Sequence, residues 1–576
     1  MKTLAARAAL LLCTLLVMSA CVRMPSEGPV TEVRTDTTDT TTSGIAYDPK
    51  PPQKGESATE IVLHFLEAMK ATPSTTSVAR QFLTADAQLS WKPEAIVTYG
   101  ELGDPEGERE VALPMSSLEM YDERGAWQRS RDEKTQVFEV TVENGERRIA
   151  VLPDALIVPE TWFAGVYRRV SLYFFDPTTQ ILVPEPVFVP EGDQLASSMV
   201  RGLLDDPTAD PRVSRTVVPP GFESFPVPVK ADGTAEVSLL GDPSAVDDER
   251  RDLILTQLVW TLRQDQRIRA LQLAIGEEEQ GESSEAIPVT REVGTAYDPT
   301  GAQASGDLFG LVDGRVVRGS IGSLTETSGA MGTERLGVRS IGVNLAGDRV
   351  AGVTTDGQDV LVAPVDEEVR AKLVASGGRN LLPPAWDFAD RIWLADRARG
   401  GAVISVVIGD QSPRAINVPG MSGRDVRRLL VSRDGSRLVA VVRTPTGDRV
   451  VASRVLHNLS GNVLRATRAV VLDFQPAAAT PVIRDIGWRS PTSISVLTDI
   501  NDDLSQVATI SVDGSPGELF LVGASSVRGG KRELVSSPVE GAEVFAVARD
   551  AVSDLTAPER PLQAPEQGLS SLTYVG

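Results

Sequence analysis

Four stretches in the second half of the chain follow one plan, and that plan narrows the folds open to it. They are SIGVNLAGDRVAGV (340–353), LPPAWDFADRIWLAD (382–396), LLVSRDGSRLVAVV (429–442) and DIGWRSPTSISVLT (485–498). Each has an apolar strand, a polar corner such as Trp-Asp or Ser-Arg-Asp-Gly, and a second strand ending in small aliphatic residues. Asp313-Gly314, Asp356-Gly357, Asp434-Gly435 and Asp513-Gly514 supply turns between alternating strands. A period of roughly 40 to 55 residues suits a four-stranded propeller blade. Residues 300–576 have room for about five to seven blades, and six is the expectation. Closing such a ring removes the sheet edges that would otherwise aggregate. Two stacked β-sandwiches are the competing arrangement.

The other end of the chain is a targeting segment. Met1 to Cys21 has Lys2 and Arg7, an apolar run from Ala8 to Met18, then Ser19, Ala20 and Cys21. This is the layout of a secretory signal, too short and wrongly flanked for a spanning helix. Met18-Ser19-Ala20-Cys21 resembles a bacterial lipobox, with Met18 where Leu is usual. The resemblance implies that residues 1–20 are removed and that Cys21 becomes an N-palmitoyl, S-diacylglycerol cysteine. Several acyl chains anchor stably where one is marginal. The expected location is the extracytoplasmic face of the cell membrane, through the lipid. An ordinary signal peptide cut near Ala20 is the plainer reading.

Cys13 leaves with the signal, so Cys21 is the sole cysteine of the mature chain and no internal disulfide forms. Stability must come from buried cores, and 576 residues suffice for about three or four domains. Loss of Lys2 and Arg7 takes the formal charge from −22 to −24. No basic block remains for nucleic acid, and an acidic surface repels anionic headgroups, so the lipid does the anchoring.

Residues 21–55, rich in Thr, Pro and Gly, read as a flexible tether. Order begins at Ser57, where Ser57 and Glu60 form a capping-box pattern ahead of Ile61, Val62, Phe65, Leu66 and Met69 at helical spacing. A second helix is expected over Val78, Ala79, Phe82 and Leu83, then strands at 95–99, 110–113, 136–142 and 147–152, the last two joined by Asn144-Gly145. RQFL (80–83), Trp91 and NGERRIAVLPDAL (144–156) resemble an NTF2-like α+β domain, here 56–165, with Arg147 where relatives carry Trp. It reads as a spacer.

Residues 166–292 run strand (170–176), strand (181–189), helix (195–204), hairpin (227–239 about Asp232-Gly233), helix (248–263) and strand (271–276). That order makes an α+β sandwich with both helices on one sheet. LYFFD, VPEPVFVP, LLDDP, TVVPPGF, ADGTAEVSL and LILTQLVWTLRQDQRIRALQLAIG resemble a GerMN domain, in the version found in the actinobacterial lipoprotein family LpqB. The propeller repeats and the terminal SSLTYVG resemble the same family. The resemblance implies a partner: the extracytoplasmic domain of an MtrB-like sensor histidine kinase, whose two-component signalling the lipoprotein modulates in envelope homeostasis and division.

Residues that carry chemistry are scarce. His64 and His457 are the two histidines, so a metal pair or His-dependent triad is not expected. Gly530-Lys531 lacks the rest of a P-loop, with Ser525 and Arg532 at the first-Gly and Ser/Thr positions. Asn501-Asp502-Asp503 reads as a polar turn rather than a calcium loop, and Asn458-Leu459-Ser460 as an unused sequon. Asp247 and Asp248 suit helix capping, and Asp205 and Asp206 a turn before Pro207. Trp386 and Trp488 sit at matching repeat positions and read as packing between blades. No catalytic residue, cofactor or metal is assigned. A non-catalytic accessory lipoprotein is the leading reading, a peptidoglycan- or glycan-binding lipoprotein the alternative, and a propeller hydrolase or dehydrogenase the third.

Overall fold

The structure, a computed structural model, describes residues 47–576 apart from 73, 208–209, 277–285, 473, 475–479, 502–503, 517–524, 529, 549–550, 558–564 and 566. The signal, Cys21 and the threonine-rich part of the tether lie outside the described residues. Residues 45–576 form one compact unit.

Helix Ala58–Ala68 begins where the sequence places its capping box. Ser57 Oγ accepts from the Glu60 N–H at 3.2 Å, and Glu60 Oε2 accepts from the Ser57 N–H at 2.8 Å. The helix packs on a sheet ordered 146–151, 127–143, 110–121, 95–99, 155–159, in which 95–99 and 155–159 run parallel. Asn144 and Gly145, both at positive φ, turn the edge hairpin. The core is aromatic: Phe65 meets Phe82, Trp91 and Phe138 at centroid separations of 6.4, 5.5 and 6.3 Å. One expectation changes. The helix expected over Val78–Leu83 is a 3-10 turn, Ala79–Phe82, followed by helix Ala85–Ser90. The Thr84 N–H donates to Ile149 O, and Thr84 Oγ1 caps Ala87, so the sheet captures the chain where the helix would have continued.

The middle domain differs from the single sheet expected. Strands Tyr167–Phe175 and Leu182–Pro190 form a two-stranded ribbon, while 223–224, 234–240, 270–275 and 287–288 form a separate sheet. Helices Leu195–Gly202 and Asp248–Leu262 share one core with both. Polar side chains explain the split. Thr261 Oγ1 accepts from the Tyr173 N–H at 3.1 Å, Gln264 Oε1 accepts from the Ser171 N–H at 2.8 Å, and Gln264 Nε2 donates to Ser171 O at 2.6 Å. These groups satisfy the backbone of 171–173 in place of a further strand. The hairpin expected about Asp232-Gly233 is reduced to a bridge between Val229 and Ala235, because strand Thr234–Leu240 pairs in parallel with Ala270–Ile275.

Among the described residues, six sheets then follow as six propeller blades. Their innermost strands are 569–573, 338–343, 385–386, 425–431, 483–490 and 533–535, each packed on the next. The first blade takes its innermost strand from the C-terminus: Leu569–Thr573 pairs antiparallel with Leu308–Val312. Trp386 Nε1 donates to Gly342 O at 3.0 Å, and Trp488 Nε1 to Val431 O at 2.8 Å, so each indole ties its strand to the preceding blade. Both tryptophans are buried, the packing role their repeat positions suggest. Deleting residues 569–576 removes the closing strand; the expected outcome is tryptic cleavage in 308–326 and a lower Tm, read by limited proteolysis and calorimetry.

Candidate functional site at the domain joint

The sequence VPEPVFVP holds one charge, Glu185, between two prolines that donate no backbone hydrogen bond. Its strand joins the middle domain to both neighbours. On one side the Phe188 ring packs 5.1 Å from Tyr121 and 5.4 Å from Phe163, centroid to centroid. The Phe188 N–H donates to Gly125 O at 2.9 Å. Gly125 lies at φ 81°, and a Cβ there would stand 1.9 Å from Phe188 O, so only glycine permits the approach.

On the other side Glu185 enters the fourth blade. Arg437 and Arg454 stand directly opposite each other on adjacent strands of that blade, a repulsive pairing when left alone. Glu185 neutralises both. Arg437 Nη2 donates to Oε2 at 2.6 Å, Arg454 Nη1 donates to Oε2 at 2.8 Å, and Arg454 Nη2 donates to Oε1. Ser214 Oγ donates to Oε1 at 3.1 Å, and Arg437 Nη1 to Pro184 O at 3.0 Å. Burial works to raise the Glu185 pKa, but the two guanidiniums and the hydrogen bonds from Arg454 and Ser214 outweigh it and hold it at about 2, against an ordinary 4.5. The triad was not singled out by sequence reasoning; the signal for it was a lone acid inside an apolar, proline-flanked strand.

Further contacts extend the joint. Arg169 donates to Thr492 O at 3.3 Å and to Ser511 Oγ, and lies 3.8 Å from Asp513. The His457 N–H donates to Arg212 O at 2.8 Å. Arg433 Nη1 donates to Thr300 O at 2.7 Å and Nη2 to Val575 O at 2.8 Å, linking the interdomain segment to the C-terminus. The middle domain thus covers the propeller face built from the first-to-second and third-to-fourth strand connections.

The residues weighed for chemistry are placed apart. His64 Nδ1 lies 2.6 Å from Glu56 Oε1 in the first domain. His457 is buried in the propeller, and burial, then the nearby Arg391 charge, pushes it down to about 3. Lys531 is buried and donates to Ser553 Oγ at 2.9 Å, with Gly530 beside it on a strand-linking segment. Asp247 Oδ1 caps the Arg250 N–H at 2.8 Å, and Asp206 Oδ1 accepts from the Thr216 N–H at 2.9 Å. Asn458 Oδ1 accepts from the N–H groups of Ser460 and Asn462 within its own turn. Asp502 and Asp503 lie outside the described residues, as does Cys21. Among the described residues no three His, Cys, Asp or Glu side chains are grouped to hold a metal, and no helix is long and apolar enough to cross a membrane.

Three family models match the chain, one in each domain. Residues 51–164 match the family model for the N-terminal domain of lipoprotein LpqB, 171–281 that for sporulation and spore germination, and 314–537 that for the lipoprotein LpqB beta-propeller domain. The chain belongs to the LpqB lipoprotein family. Lipoprotein LpqB of Thermobifida fusca is 27% identical, over 89% of this chain and 90% of its own. Lipoprotein LpqB of Mycobacterium bovis is also 27% identical, over 80% and 82%. Among solved structures, the first GerMN domain of GerM from Bacillus subtilis is 23% identical and covers 21% of this chain and 94% of its own, with a TM-score of 0.18. For the first domain the match is to the LpqB N-terminal model rather than to the NTF2-like likeness expected.

The triad makes the joint sensitive to one carboxylate. Glu185→Gln leaves the buried Arg437 and half-buried Arg454 guanidiniums facing each other, and the expected loss is about 3–5 kcal/mol in urea unfolding. Because Glu185 is ionised well below its unfolded value, its contribution is present above pH 4.5 and lost as pH falls towards about 2. The stability gap between wild type and E185Q should therefore close over that window, and a gap independent of pH would contradict the assignment.

Proposed function

We propose that this protein is a non-catalytic accessory lipoprotein, held by Cys21 at the outer face of the cell membrane, that binds the extracytoplasmic domain of an MtrB-like sensor histidine kinase and biases its signalling. Membership of the LpqB family carries the reading. The architecture supports it: the middle domain occupies one propeller face, and the opposite face presents exposed second-to-third strand turns at Asp313, Asp356 and Arg399. A partner shifts a kinase only by binding one signalling state more tightly than the other. Glycan binding is the less supported reading. The exposed aromatics among the described residues are Tyr47 and Phe225, both outside the propeller, where the exposed large apolar side chains are aliphatic.

Two experiments test this. Cys21→Ala should abolish labelling by radioactive palmitate and shift the protein from the detergent to the aqueous phase on Triton X-114 partition. In nanodiscs, the full protein should bind the purified outer domain of the kinase saturably by calorimetry, with D356K and R399E together weakening it roughly tenfold, about 1.4 kcal/mol. Absence of binding, with retention on peptidoglycan, would replace the kinase reading with the glycan one.

A further inference from the structure

A cleft of about 820 Å³ lies between the middle domain and blades five and six, within the range of small-molecule sites. Its charge runs against that of the chain. In a protein of formal charge −22, Arg263, Arg291 and Arg489 line it together with two carboxylates, Asp298 and Glu540. Both carboxylates are already engaged. Glu540 pairs with Arg291 at the rim. Asp298 Oδ1 accepts from Thr300 N–H at 2.8 Å and Thr300 Oγ1 at 2.7 Å, and its charge also faces Arg433, which burial pushes down to about 10.

Arg489 is left over, and Arg263 is engaged in part, by the Tyr173 hydroxyl and the Asp298 charge. The Arg263 guanidinium lies 3.6 Å over the Trp260 ring and 5.7 Å from the Tyr173 centroid. Its Nη1 is buried without a hydrogen-bond partner. The side chain is half-buried, and burial lowers its pKa. Arg489, at the end of the innermost strand of blade five, has no carboxylate or hydrogen-bond partner among the described residues. Planar guanidiniums with free N–H groups suit an oxyanion, and the half-buried Pro491 and Val539 of the lining suit an apolar body.

We propose that this cleft binds an organic anion, a carboxylate or phosphate carried on an apolar body, with its oxyanion between Arg263 and Arg489. The walls come from both domains, so the ligand stabilises the joint. This goes beyond the kinase reading and does not rest on it; no kinase is present in the test. The full protein in nanodiscs is titrated by calorimetry with phenyl phosphate and with benzoate, and with phenol and inorganic phosphate as the body and the charge alone.

The expected result is saturable binding of at least one aromatic anion, roughly tenfold tighter than either fragment, together with a raised Tm. The tighter of the two names the head group. R489E and R489Q, each checked for an unchanged melting profile without ligand, should weaken it roughly tenfold or more. R370E makes the same charge change as R489E at an exposed position outside the cleft and should have no effect. No saturable heat from either anion, equal binding of phenol, or equal weakening by R370E would overturn the proposal.

Discussion

Two arginines facing each other across adjacent strands of a β-blade are a defect until something negative arrives. In this protein it arrives from another domain. Glu185 satisfies Arg437 and Arg454 together, and the same strand sends Phe188 into the first domain. The propeller and the middle domain are therefore electrostatically incomplete apart and complete together. A buried ion cluster of this kind contributes little net stability compared with an apolar substitute, because desolvation opposes the Coulomb gain. Its value is in setting one relative placement: any other docking leaves Arg437 and Arg454 without the carboxylate that bridges them.

That placement decides what each surface is for. One propeller face is spent on the middle domain, and the joint encloses a cationic cleft in an otherwise acidic molecule. The opposite face carries the exposed turns at Asp313, Asp356 and Arg399. Stiffness within the ring comes from the same economy of polar groups: buried indoles of Trp386 and Trp488 spend their single N–H on the neighbouring blade's backbone.

Much of the fold was legible. The Ser57–Glu60 box, the Asn144-Gly145 turn and the Asp247 cap are local interactions, written within a few residues, and each stands where the sequence puts it. The repeats gave the blades because each repeat buries its strands the same way. Two elements misled for physical reasons. Thr84 is drawn to Ile149, sixty-five residues on, which cuts short the helix expected at 78–83. Gln264 and Thr261 stand in for a strand at the edge of 167–175, a substitution no alternation pattern records.

The candidate site was less legible than the fold. Motif reasoning looks for chemistry at close spacing, and the contacts that build the joint are not of that kind. Glu185 lies more than 250 residues from Arg437, and Arg263 more than 220 from Arg489. By itself the sequence determined the GerMN class of the middle domain and the propeller repeat that follows it, since periodicity and turn chemistry are local. The tertiary structure alone decided which charges meet, because long-range pairing depends on how finished domains dock, and docking is set by the few buried charges that must not be left unpaired.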